Sequence, residues 1–262
     1  MRAVWLVVLL VLAGCATTRP QPTKPTSAPR SPDAWAGFPV GRKPRPIVLL
    51  HTMPRAHRVD GRSADAGRSS TFETDPPSIA PTANVRLWDG MAVLPTIDAS
   101  TALRAMLAQT KSPPLRVTRV DFGAAQFDTD RGPLTLPAWL FHTQDSAEPL
   151  VWPALDPSVF WRFDKVPSPE SRPSGIRVTK VDGLKITVTL PHPHEPCRGK
   201  PPPAYHGEAR ESDTSVMVTA VPEHATGCAP ATSTLAPFDI TLARPLGDRV
   251  LVDGANRPIP VN

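Results

Sequence analysis

Thirty-five prolines in 262 residues restrict this chain more than any other feature of its sequence. Proline has no backbone N–H to give and holds φ near −65°, so it breaks helix interiors and is excluded from central strands. At a density far above the usual ~5% it leaves room for short strands, edges, turns and extended connections, and for few helices. Apolar residues make up 40% of the chain, enough for one large domain or two small ones.

The prolines are unevenly spread, and the first stretch free of them is the amino terminus. Arg2 precedes an unbroken apolar run, Ala3 to Leu12, followed by Ala13-Gly14-Cys15. A short basic region, a ten-residue apolar region and small residues before a cut describe a secretory signal peptide. Ten helical residues extend about 15 Å, half of a bilayer core, so the run is too short to be kept as a membrane span. Leu12-Ala13-Gly14-Cys15 resembles a bacterial lipobox. That resemblance implies cleavage after Gly14 and diacylglycerol on the Cys15 thiol, placing the protein on the extracytoplasmic face of a cell membrane.

The organisation expected from the sequence has four parts. Residues 1–14 are a lipoprotein signal peptide. Residues 15–46 are the lipidated cysteine and a disordered proline-rich basic tether, with eight prolines and six cations against Asp33 alone. Trp35 and Phe38 are its exceptions, able to touch the membrane interface or dock on the domain. Residues 47–165 form an α+β region and residues 166–262 a β-rich region. The net charge of +5 is concentrated in the tether, where it favours anionic headgroups. No aromatic platform accompanies that charge, so nucleic acid is not a partner. Cys15 is the anchor, and Cys197 and Cys228 remain. In an oxidising compartment that pair forms a disulfide closing a 32-residue loop.

Ile47-Val48-Leu49-Leu50 is the first strand-like run, and His51 follows it. A hydrolase oxyanion strand would continue with glycine; here Thr52-Met53-Pro54 follows, and no Gly-x-Ser-x-Gly elbow exists. Residues 54–83 read as a long polar loop. Val85–Trp88 and Met91–Leu94 flank Asp89-Gly90, a hairpin signal. One helix is predicted near 99–110, capped by Asp98 or Ser100, with Leu103, Met106 and Leu107 as its apolar stripe and Pro113-Pro114 as its stop. A meander follows over 115–155, in which Asp128-Thr129-Asp130-Arg131-Gly132 is a solvated turn. That turn lacks the glycine and the glutamate of a calcium loop. A second Asp-Gly hairpin joins Ile176–Val181 to Leu184–Leu190, and further short strands run to Val252. The fold class expected is α+β, predominantly antiparallel β with one short helix, ending in a small β-rich module with a disulfide.

No motif names a reaction. His192, His194, Glu195, Cys197, His206, His224 and Cys228 are types that bind zinc or copper, but prolines 191, 193 and 196 break any regular spacing. No metal or cofactor is assigned. Glu208, Glu211 and Asp213 could do acid–base work, or pair with Arg210, Arg249 or Lys200 on a wet strand face. No catalytic residue is assigned. Trp139, Trp152, Phe160 and Trp161 are candidates for an aromatic binding cleft, and Glu211, Asp248 and Arg249 for a polar one.

Cys197, Glu211-Ser212-Asp213-Thr214-x-Val216, Cys228 and Arg244-Pro245-Leu246-Gly247-Asp248-Arg249 together resemble the carboxy-terminal region of uncharacterised actinobacterial secreted lipoproteins. The resemblance implies location and a disulfide, and no activity. The function expected is a membrane-anchored, non-catalytic binding or envelope structural protein, whose partner is an envelope protein, polymer or small ligand. The alternatives are a cell-wall hydrolase using Asp and Glu, or a metal-binding lipoprotein using His192, His194 and His224.

Overall fold

A computed structural model describes residues 35–51, 71–110, 115–144, 146–162, 175–193, 203–224 and 233–261. It is an α+β fold, predominantly antiparallel β, with a single α-helix among the described residues. Cys15, Cys197 and Cys228 lie outside the described residues, as do His194 and Glu195.

The first lobe has three layers. Its centre is a four-stranded sheet of β1 (Thr71–Phe72), β4 (Arg116–Thr129), β5 (Gly132–Thr143) and β6 (Leu150–Pro153), in the order β1-β4-β5-β6. Alternation along β5 sends Leu134, Leu136 and Ala138 to one face and Trp139 and Phe141 to the other. Both faces are therefore apolar, and each needs a cover. Helix α1 (Ala99–Thr110) covers the Trp139 face with Ala99, Ala102, Leu103 and Met106. Asp98 caps it: Thr101 N–H donates to Asp98 Oδ1 at 2.9 Å and its hydroxyl to Oδ2 at 2.8 Å. Those bonds, the backbone one foremost, hold the Asp98 carboxyl below its ordinary pKa. The opposite face is covered by a hairpin, β2 (Thr82–Leu87) and β3 (Gly90–Pro95), through Val85, Leu87 and Leu94.

The hairpin turns one residue earlier than its sequence suggests. Leu87 pairs with Gly90, so the loop is Trp88-Asp89, and Gly90 takes a φ of 126° beyond it. This register turns Leu94 inward and leaves Met91 and Val93 on the outer face. The meander also differs in detail. β4 runs through Phe127 to Thr129, and the turn is Asp130-Arg131 with Gly132 at φ 84°. Within the expected loop of 54–83, Thr71-Phe72 pairs parallel with β4, and the Phe72 ring stacks on Phe141.

The second lobe is a sandwich of two three-stranded sheets. One has the order β11 (Ser233–Thr241), β8 (Lys185–Pro193), β7 (Arg177–Asp182). The other has β12 (Val250–Asp253), β10 (Ser215–Pro222), β9 (Tyr205–Glu211). Ile176, Val178, Ile186, Val188, Leu190, Val216, Val218, Ile240 and Leu251 fill the space between them. A register shift between Val178 and Lys180 brings Val181 opposite Ile186, on the face of Val178, yet at the end of the hairpin Val181 remains 44% exposed.

Residues 35–50 belong to the fold, not to the tether. Trp35, Phe38 and Arg45 are buried, so the stalk expected through Pro46 has already become packed chain at Trp35. Ile47 and Leu49 enter the core of the first lobe, while Val48 between them packs on Met217, Val250 and Val252 of the second. The run thus lies between the lobes as an extended segment of isolated bridges, Ile47 to Phe160 and Leu49 to Thr129. At its end His51 lies 3.4 Å from Asp128 Oδ2, a side-chain pairing and not an oxyanion turn.

Candidate functional site at the junction of the lobes

The junction is built on charge as well as on Val48. Arg45 lies between Pro44, which follows a cis peptide bond at a bend, and Pro46, and its side chain is 4% exposed. Its guanidinium forks onto Asp130 of the β4–β5 turn, Nη2 to Oδ2 at 2.6 Å and Nη1 to Oδ1 at 3.1 Å. Its Nε donates to the carbonyl of Asp248 at 3.1 Å, and its carbon lies 4.7 Å from the centre of the Phe38 ring. One side chain thereby touches the entry segment, the first lobe and the second.

Arg131, beside Asp130, makes the reciprocal tie. Its Nη2 donates to the carbonyls of Gly247 at 2.6 Å and Arg249 at 2.8 Å. Burial, and then the neighbouring Arg45 charge, lower its pKa from the ordinary arginine value, against Asp130 and Asp248. Above the pair, Lys43 Nζ lies 3.4 Å from Asp89 of the hairpin tip and 3.7 Å from Asp248. Arg45, Trp88, Asp89, Arg131, Gly247 and Asp248 line a shallow cleft of about 190 Å³ between the lobes. Three cations (Lys43, Arg45, Arg131) face three carboxylates (Asp89, Asp130, Asp248), so the cleft is balanced. Its chemistry is that of a clasp. Bidentate pairing fixes the orientation of Arg45 on Asp130 as well as its distance, and the bonds of Arg45 and Arg131 to the carbonyls of Asp248, Gly247 and Arg249 tie that pair to the second lobe.

Glu211 and Arg249 are brought together, as the sequence allowed. Arg249, 3% exposed, reaches Glu211 Oε2 at 2.7 Å and the carbonyls of Arg244 and Pro245 at 2.8 and 3.0 Å. The other carboxylate oxygen accepts the Ala243 N–H at 2.5 Å. Burial alone would raise the Glu211 pKa; the Ala243 bond and the Arg249 charge outweigh it and pull it below the ordinary value. Asp213 is not on the same strand face. It sits in the turn after β9 and pairs with Arg244 at 2.7 Å, while Glu208 lies 3.7 Å from Arg210. The three acids serve three separate arginines. Asp248 faces the junction cleft instead.

The aromatic candidates are core residues. Trp139 and Trp152 are opposite one another in the β5–β6 ladder and wholly buried, and the Trp139 indole donates to the Ile97 carbonyl at 2.9 Å. Phe160 is buried too, and Trp161 packs edge-on against Phe38 at 5.4 Å. Trp139 and Trp152 fill the core because a two-sided sheet must bury its large side chains to close both layers. The His192 ring packs against Tyr205 and edge-on to Phe238, with centroids at 5.1 and 5.7 Å. Among the described residues, no group of three or more His, Cys, Asp or Glu is placed to hold a metal ion.

Lys43, Arg45, Trp88, Asp89, Asp130 and Arg131 were not site candidates in the sequence. The one local signal is Asp130-Arg131 ahead of Gly132, a two-residue turn that ends a ladder. The partner that buries Asp130 is 85 residues away, and no local pattern carries that information. No family model, no curated protein and no solved structure matches the chain.

Proposed function

We propose that the chain is a membrane-anchored extracytoplasmic lipoprotein, held by diacylglycerol on Cys15, that works as a non-catalytic binding or envelope structural protein. The observation that carries this reading is Leu12-Ala13-Gly14-Cys15 behind a ten-residue apolar run. The kinship with actinobacterial secreted lipoproteins is part of the proposal and rests on the residues that resemble theirs. The charged groups of the junction support a structural role: Lys43 and Arg45 pair with Asp89 and Asp130 of the first lobe, and Arg131 reaches the Gly247 carbonyl of the second, instead of converging on an open site. A hydrolase would need two carboxyls converging in a cleft, one with a raised pKa. Among the described residues, the carboxyls of Asp98 and Glu211 are displaced downward by bonds that hold a helix cap and a loop. That favours the binding reading over the enzyme. Among the described residues no helix is long and apolar enough to cross a membrane, so attachment in this reading falls to the lipid.

Fractionation of cells carrying Cys15→Ser tests the proposal. The native chain should sediment with membranes and the variant should be released or mislocalised with its fold intact. Equal membrane retention of a folded variant would overturn the anchor.

A further inference from the structure

We propose that the outer face of the β2–β3 hairpin is a membrane-contact surface for anionic phospholipid, seated by Trp88, Met91 and Val93 with Arg86 beside them. The inference rests on the lipid anchor proposed above. The inner face of the hairpin is fully used, since Val85, Leu87 and Leu94 are buried in the core. Met91 and Val93 project the other way and are 65% and 67% exposed, and Trp88 at the tip is 36% exposed. Among the described residues the other large exposed apolar side chains are Val40, Phe122, Leu235, and Val181 and Leu184 at the β7–β8 tip, where no tryptophan accompanies them; Phe122 leans on Trp139. Single exposed apolar residues are ordinary; two in alternate positions on one strand face beside an exposed tryptophan form a patch.

Two observations favour a lipid surface over another occupant. The first is chemistry. Arg86 lies directly opposite Met91 in the ladder and is exposed, and Asn84 lies opposite Val93. Apolar side chains and an indole between polar and cationic neighbours suit the boundary between headgroups and acyl chains. The second is where the chain enters. Lys43 and the Arg45 N–H both meet Asp89 at the hairpin tip, so the segment arriving from Cys15 is fastened to this hairpin. Nineteen residues separate Cys15 from Trp35. Fully extended they reach at most about 70 Å, so an anchored protein always holds Trp35, where the packed chain begins, within that distance of the bilayer. Exposed Arg42, next to Lys43, adds a further cation to this side. Surface cations strengthen contact with anionic headgroups and the contribution weakens with salt.

The experiment uses the full lipid-bearing protein reconstituted into vesicles of phosphatidylglycerol with brominated acyl chains, and into phosphatidylcholine vesicles brominated likewise. Flotation reports the anchor, and tryptophan quenching reports the hairpin. Trp88→Phe isolates the Trp88 share of the emission. The proposal predicts bromine quenching in the native protein that Trp88→Phe lacks, stronger in phosphatidylglycerol than in phosphatidylcholine. Met91→Asp with Val93→Asp should abolish that difference while circular dichroism stays native, since both positions are exposed. Flotation without Trp88 quenching overturns the proposal and leaves the anchor standing. Equal quenching in both lipids overturns the anionic preference. Failure to float removes the anchor and the proposal with it. Photocrosslinking from position 91 to an envelope protein, with Trp88 unquenched, would assign the face to a protein partner and overturn the lipid.

Discussion

Arg45 and Asp130, 85 residues apart, form a forked ion pair with 4% and 1% of their side chains exposed. A carboxylate so deeply buried is tolerable because two guanidinium N–H groups meet its two oxygens. Arg131 Nε lies a further 3.9 Å away, too far to replace them. Arg45→Met should therefore cost about 3–5 kcal/mol, the usual result of stranding one buried charge. Arg45→Met with Asp130→Leu should recover most of that loss, because both charges then leave together. Urea denaturation of the three proteins gives the answer. A single variant within about 1 kcal/mol of the native protein would show the pair to be incidental.

Glu211 predicts how stability responds to acid. Its pKa in the folded protein lies below the ordinary carboxyl value of 4.5, because the ionised form holds Ala243 N–H and Arg249. Such a group stabilises the fold fully above its unfolded pKa, and the benefit is lost as pH falls through the folded value. Melting temperature should therefore drop more steeply below about pH 4.5 in the native protein than in Glu211→Gln. At neutral pH the variant should be less stable by about 1–3 kcal/mol, from the charged hydrogen bonds it weakens. Parallel melting curves across pH would remove Glu211 from the account.

Gly207 on β9 faces the opposite sheet at close range. A Cβ there would lie 2.6 Å from Ile240 Cγ1 and 2.9 Å from Phe238 Cβ. Neither neighbour is free to withdraw, since both are buried in the sandwich core. Gly207→Ala should destabilise by about 1–3 kcal/mol through overpacking, even though alanine suits a strand better than glycine. A neutral or stabilising result by thermal denaturation would mean that the sheets sit further apart.

Cys197 and Cys228 should be joined in protein recovered from its native compartment. Intact mass should rise by about 2 Da on reduction, two hydrogens for one bridge. Reduction should also cost about 3.5–4 kcal/mol by the chain-entropy model for a 32-residue loop. Unchanged mass would mean free thiols and reopen a metal role for the neighbouring histidines.

The legible parts of this fold are those whose cause is local. Asp98, the Leu103–Met106 stripe and the prolines after residue 112 together mark the helix, and it spans Ala99–Thr110. The second hairpin forms at its Asp-Gly pair with Gly183 at φ 60°, although Asp182 joins the ladder opposite Lys185 and the loop is Gly183-Leu184, one residue later than expected. Turn register is less local. The first hairpin turns at Trp88-Asp89, with Leu87 paired to Gly90, although a turn at Asp89-Gly90 would put Val85, Leu87 and Leu94 on the same face, so the burial pattern alone does not choose between the two. Burial partners are not local at all. Trp139 and Trp152 looked like binding aromatics until the β5–β6 ladder set them opposite each other beneath α1. Arg45 looked like one more cation in a basic tether, and its role depends on Asp130 and Asp248, each far away in sequence.

The account depends most on Cys15, and mass spectrometry of the amino-terminal peptide tests it directly. In protein extracted from membranes, the mature chain should begin at Cys15 and carry diacylglycerol on its thiol. An amino terminus at any other residue, or an unmodified Cys15 thiol in membrane-bound protein, would contradict it.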